Sequence, residues 1–242
     1  MTGAGTTRRR EETDDARLEA WLDRELAGGS GRLLGRGYQA AAYLLETPAG
    51  PVVVKKAHRY PLLHWIGLRG LRREAAVYER LKGVPGVPRS FGLRHGHLVL
   101  EHIDGPSLRG HEPRLEDRER FFARLLASID AMHAAGIAHG DLKRKDNILV
   151  GPDEQPYVID FGIAWRAVPG APRWRRALFD VISQMDYNAW IKLKYRRRAE
   201  DLTAEDAERY RPLLLERVAR AIRIPWQKIT FRRLRKRGRR RT

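Results

Sequence analysis

The chain has 242 residues, and 48 Lys+Arg against 30 Asp+Glu give it a formal net charge of +18. That length suits one domain of two lobes or two small domains, and an apolar content of 42% excludes a wholly disordered basic chain. The absence of cysteine excludes disulfides, thiolate metal sites and cysteine nucleophiles together, and fits a reducing compartment. Arg8, Arg9 and Arg10 are followed by EETDD rather than by an apolar stretch, so no secretory signal is expected. The longest apolar run, about 40–45, falls far short of the ~20 residues that span a bilayer. The expected location is cytoplasmic, with a peripheral place on the inner face of the membrane open to it. The charge is uneven: residues 190–242 hold 19 Lys/Arg and 6 Asp/Glu, and eight of the last twelve residues are basic. Such a density attracts an anionic partner, or is a solvated tail.

In chain order, Asp14 or Asp15 caps a predicted short helix to about residue 27, and GGSG ends it. The texture turns to strand from Leu33, with LLGRGYQAAAYLLE, a turn at TPAG and the β-branched run PVVVKKA. A helix over 71–81 places Ala75, Tyr78 and Leu81 on one face, and GVPGVP stops it. The stretch YPLLHWIGLRG (60–70) reads as an apolar-basic insertion ahead of that helix. A strand follows at HLVLEHI. The longest helix, 115–135, sets Phe122, Leu125, Leu126, Ile129 and Met132 at core spacing. Then come the polar loop HGDLKRKD, a short strand NILV, a Pro/Asp turn and a second strand YVID leading into FG. Helices are predicted over about 173–197 and, behind a Thr203 cap with Asp206 at its third position, over about 203–223.

The order and spacing of these pieces resemble the protein-kinase-like superfamily from about Leu33 to Gly162. The resemblance implies an α+β, two-lobed fold: a small β-rich N-lobe with hinge (31–104) and a compact, mostly helical C-lobe (105–228). An N-terminal extension (1–30) precedes the lobes and a basic tail (229–242) follows them. It implies an ATP-dependent, Mg2+-dependent phosphotransferase acting on a hydroxyl, since phosphoryl transfer needs positioning and charge neutralisation more than covalent chemistry.

By the family pattern, GRGYQA with Gly35 and Gly37 is the loop over the phosphates, although Ala40 stands where a third glycine would be and a plain hairpin turn explains it as well. Lys55, in preference to Lys56, is the phosphate-binding lysine, and Glu74 its ion-pair partner. The backbone of Glu101 and Ile103 is presented to adenine, with Leu149 as the floor beneath it. Asp141 is the carboxylate that takes the hydroxyl proton, Lys143 faces the γ-phosphate, and Asp160 of DFG is the main metal ligand. Asn147 is the second metal ligand if the loop carries a one-residue insertion; Asp146 holds the family's usual position and stays an alternative. Asp180 either braces the catalytic loop or is an exposed helix residue.

Departures from the regulated kinases narrow the reading. Gly140 replaces the arginine of HRD, and only about ten residues (IAWRAVPGAP) separate Gly162 from the next helix. HGD and the compact C-lobe resemble the bacterial lipopolysaccharide-core kinase and RIO-like groups. The acceptor is then a protein hydroxyl, a lipopolysaccharide core sugar or another small-molecule hydroxyl, and the basic C-terminus suggests a membrane surface, lipopolysaccharide or RNA. RPLLLERVARAIRIPW (211–226) reads as an interfacial helix or a core one. A non-catalytic nucleotide-binding scaffold with a nucleic-acid-binding tail is the competing class.

Overall fold

The computed structural model describes residues 21, 31–36, 40–57, 61–196 and 201–211. The predicted N-terminal helix, the glycine turn at Gly37 and the basic tail lie outside these residues. Five strands form one antiparallel sheet: β1 (Arg32–Arg36), β2 (Ala40–Leu45), β3 (Val52–Ala57), β4 (Ser90–Arg94) and β5 (His97–Glu101), in the order β1-β2-β3-β5-β4. The turn at TPAG closes as expected, with the Gly50 N–H donating to Thr47 O at 3.0 Å. Alternation in β3 buries Val52 and Val54 on one face, which sends Val53 and Lys55 to the other. Strand β5 is buried on both faces at Leu98, Val99 and Leu100. Strand β4 was not anticipated, because SFGLR is short, carries a glycine and follows directly on a proline-rich stop.

One correction concerns the insertion at 60–70. Helix α1 runs unbroken over Pro61–Arg80, so that stretch is the helix's own first half. Gly67 and Gly70 imitate a break in the sequence, but Pro61 is well placed at a helix start. Gly67, Leu71, Glu74 and Tyr78 are buried at i, i+4, i+7 and i+11, a stripe that continues through the supposed boundary.

The remainder is mostly helical. A short α2 (Leu108–His111) and a 3-10 turn (Glu112–Arg114) precede α3 (Arg118–Ala134). Helix α3 begins three residues later than expected, because Asp117 caps it by accepting the Arg120 N–H at 2.9 Å. It buries Phe121, Phe122, Leu125, Ile129 and Met132. The pair β6 (Ile137–Ala138) and β9 (Trp165–Arg166) was not predicted, whereas the ribbon β7 (Ile148–Val150) and β8 (Pro156–Val158) was. Helix α4 (Arg173–Lys194) packs on α3, where the Trp190 indole N–H donates to Phe122 O at 2.8 Å. Thr203 caps α5 (Ala204–Arg209) by accepting the Asp206 N–H.

A second correction follows at that point. The helix expected to reach residue 223 ends at Arg209, and Tyr210 is extended. Pro212 disfavours helical backbone at the residue before it and offers no N–H to the preceding turn. The face built on Leu214 and Leu215 lies outside the described residues. An antiparallel sheet over 32–101 followed by helices is the α+β, two-lobed kinase-like arrangement that the motifs imply.

Candidate active site

The ladder sets Lys55 opposite Ala42 on one side and Leu98 on the other. From there its ammonium reaches Glu74 Oε1 at 2.6 Å and Asp160 Oδ1 at 3.2 Å. Lys56 points elsewhere, its Nζ lying 5.6 Å from the centre of the Tyr43 ring. The Lys55 and Glu74 side chains are 15% and 5% exposed, that of Asp160 51%. A buried pair therefore ends at a carboxylate that opens to solvent. Burial alone would push the Lys55 ammonium down, but the charges of Glu74 and Asp160 outweigh it and its pKa is raised. Burial pushes Asp160 up, and the Lys55 ammonium beside it, with Arg144, more than reverses this, so its carboxyl is held below the usual range. The Tyr78 phenol, fully buried beside the carboxylates of Glu74 and Asp160, is raised well above its ordinary value, first by burial.

Asp160 has φ +69°, a conformation that side chains other than glycine, asparagine and aspartate adopt at a cost. Its neighbours hold it there. The Ile159 N–H donates to Asn147 O at 2.9 Å. Phe161 packs edge-on against Tyr78 of α1 and His139 of the loop, each at 5.0 Å between ring centres. His139 Nδ1 accepts the Asp141 N–H at 3.2 Å, so its proton sits on Nε2 and is donated to Ile159 O at 3.0 Å.

Asp186 is the residue that sequence reasoning missed. It is buried in α4, and its two carboxylate oxygens accept the backbone N–H groups of His139 (2.7 Å) and Gly140 (2.8 Å). Its Oδ2 also meets His133 Nε2 at 3.1 Å. Asp180, proposed for this brace, is exposed. A signal existed: Asp186, Trp190 and Leu193 share one apolar face at i, i+4 and i+7, and a carboxylate on such a face must have partners. Gly140 has φ +77°, and a Cβ there would meet Ile182 Cγ2 at 3.3 Å, so the backbone itself asks for glycine at this position.

Asn147 is buried, and its Nδ2 donates to Asp141 O at 3.1 Å, which leaves the amide oxygen as its donor atom toward a cation. Asp146 pairs with Arg109 at 2.6 Å. The loop is anchored by Lys145 on Glu112, a buried carboxylate that also holds Arg118 at 3.0 Å and Arg196 at 3.4 Å. Arg144 lies 3.7 Å from Asp141 Oδ2, and Lys143 is exposed.

The nucleotide-side candidates sit as follows. Gly35 lies in β1 beside a register irregularity, and no atom of the described residues comes within 4 Å of a Cβ built there. The Glu101 N–H is engaged by Arg89 O at 2.8 Å, so it has no amide hydrogen left to offer a base. Ile103 is buried. Leu149 is half-buried between the buried Ile148 and Val150 and bridges to Ser107.

The chain is similar to several protein kinases. It is 32% identical over 191 residues to the CBL-interacting protein kinase 4 of Oryza sativa subsp. japonica, a span covering 73% of this chain and 41% of that protein. It is 33% identical over 150 residues to the serine/threonine-protein kinase PknD of Mycobacterium tuberculosis, covering 55% and 21%. A probable bifunctional tRNA threonylcarbamoyladenosine biosynthesis protein of Methanosarcina barkeri is 30% identical over 173 residues, covering 63% and 30%. The chain thus spans less than half the length of these curated relatives. No family model matches it. The likenesses indicate the protein-kinase-like superfamily.

Proposed function

We propose that this protein-kinase-like chain is an ATP- and magnesium-dependent phosphotransferase of serine/threonine-kinase type that moves the γ-phosphate to a hydroxyl acceptor. The observation that carries the reading is the Lys55 ammonium held between Glu74 and Asp160, which joins the sheet to the loop that follows β8. The donor set fits the metal. Among the described residues no three His, Asp or Glu side chains form a metal cage, and magnesium typically takes one or two carboxylates together with substrate phosphates. Asp160 and the Asn147 amide oxygen would hold it.

Bound with magnesium, ATP supplies the transferable phosphoryl group. The chain's own groups do the rest. Glu74 fixes Lys55, whose charge faces the phosphates. The Asp141 carboxylate accepts the proton of the acceptor hydroxyl, and the Asn147 and His139 hydrogen bonds hold the backbone that carries it. Lys143 and Arg144 supply positive charge on the acceptor side. The base contacts fall to the backbone of Glu101, through its carbonyl, to that of Ile103 and to Leu149, and Gly35 leaves room above the phosphates.

Within the superfamily we read the chain as an atypical form resembling the lipopolysaccharide-core kinase and RIO-like groups, located in the cytoplasm. Gly140 and the short path from Gly162 to α4 support this, since glycine holds the position of the phosphate-receiving arginine and the short path leaves no length for a long substrate platform. The test is transfer of label from γ-labelled ATP into a lysate split into protein, lipid and nucleic-acid fractions. The wild type labels one fraction, and Asp160→Ala labels it on the order of 10²-fold less or weaker still. Equal labelling by the variant overturns the reading.

A further inference from the structure

The segment just past Asp160 bears a surface that the proposed chemistry leaves unused. Ile163 and Trp174 are 60% and 62% exposed, and Val168 between them is exposed too. The Arg175 guanidinium lies 5.7 Å from the Trp165 ring centre and 5.9 Å from that of Trp174, so one arginine ties β9 to the first turn of α4 through two indoles. Arg166, Arg173 and Arg176 are exposed around them. Asp180 is the one acidic residue between 161 and 185.

Large apolar side chains left in water and rimmed by one sign of charge mark a contact surface. The residue types narrow the partner. Indole rings settle at the headgroup level of a bilayer, arginines pair with anionic headgroups while their stems lie along apolar matter, and exposed Ile163 and Val168 gain nothing from a nucleic acid. No helix of the described residues is long and apolar enough to cross a membrane, so such contact is peripheral. We propose that the surface over 163–176 docks this chain on an anionic lipid bilayer, with Trp174 entering the headgroup region and Arg173 and Arg176 pairing with lipid phosphates. The docking is independent of phosphoryl transfer, and Asp141→Ala protein binds as the wild type does.

The test is co-sedimentation of the full chain with phosphatidylcholine vesicles and with vesicles containing phosphatidylglycerol, together with tryptophan quenching by brominated phosphatidylcholine mixed into the latter. The wild type partitions to the anionic vesicles and its emission is quenched. Trp174→Ala removes most of the quenching and weakens partitioning about tenfold, while Arg173→Glu and Arg176→Glu each weaken it by about fivefold or more. Unchanged partitioning and quenching in all three variants would mean that other basic segments do the binding, and overturns the proposal. So does a lowered melting temperature in Trp174→Ala with vesicle binding intact, which would assign Trp174 to a contact within the chain. Competition by RNA or by an acidic peptide that leaves Trp174 unquenched overturns it equally.

Discussion

The Asp186 carboxylate accepts the Gly140 amide N–H at 2.8 Å from a helix 46 positions further along the chain, and so couples the core of α4 to the loop that carries Asp141. Its other oxygen takes the amide of His139. Removing the carboxylate leaves the buried His139 N–H and the half-buried Gly140 N–H without their acceptor. Asp186→Ala is expected to cost about 2–5 kcal/mol in denaturant unfolding and to lower phosphoryl transfer in whatever fraction stays folded. Asp180→Ala, at an exposed position, should stay within about 0.5 kcal/mol of wild type. The reverse order of effects would restore Asp180 as the brace.

Lys55 has two carboxylate partners, so the loss of either is softened by the other. Breaking a buried pair outright costs about 3–5 kcal/mol; Glu74→Gln keeps a hydrogen-bond acceptor beside the ammonium, and its unfolding free energy should fall by less than that. The larger effect is expected on nucleotide affinity, read by calorimetric titration, because the lysine loses the group that aims it. Unchanged ATP affinity in both Glu74→Gln and Lys55→Ala would remove the lysine from the site.

Asn147 and Asp146 are adjacent but engage different partners, Asp141 O and Arg109, and their variants should separate. Asn147→Ala is expected to raise the magnesium concentration needed for half-maximal transfer and to loosen Asp141 through the lost 3.1 Å hydrogen bond. Asp146→Ala breaks an exposed pair with Arg109, a kind of contact that contributes about 0–1 kcal/mol, and should leave the magnesium requirement where it was. A shifted requirement in Asp146→Ala alone would reverse the assignment.

The Glu112 cluster sets an acid limit. Burial raises the Glu112 pKa, but Lys145 and Arg118 lower it further, and the net direction is down from the ordinary 4.5. A depressed folded-state pKa stabilises fully above the unfolded value and loses that contribution as pH falls through the folded one. Thermal stability is therefore expected to hold down to about pH 4.5 and to decline below it. Glu112→Gln should be less stable at neutral pH and show a shallower acid decline. An identical acid slope in the variant would mean that other carboxylates, Asp206 and Asp160 among them, set the limit.

Short motifs were legible where chemistry and periodicity coincide. The strand VVVKKA, the glutamate on the next helix and DFG, picked out by their resemblance to the protein-kinase-like pattern, named three side chains that the fold brings together, with Lys55 within hydrogen-bonding distance of both carboxylates. Asp186 was legible only as a carboxylate on an apolar helix face, since most of its partners are backbone amides of a distant loop and leave no side-chain pattern. The extent of α1 was obscured by Gly67 and Gly70, which read as punctuation in one dimension, although the helix runs through both and buries Gly67. Strands of two residues, such as β6 and β9, are too short to carry any period. The end of α5 depended on Pro212 and lost to an apolar pattern that ran past it.

The most direct measurement is a paired one on Asp141→Ala: binding of magnesium–ATP by calorimetry, and transfer of the γ-phosphate to the fraction the wild type labels. ATP affinity within a few-fold of wild type, with transfer reduced by about 10²–10⁴-fold, is the result predicted for a carboxylate that takes the acceptor's proton. Undiminished transfer by the variant would contradict the account.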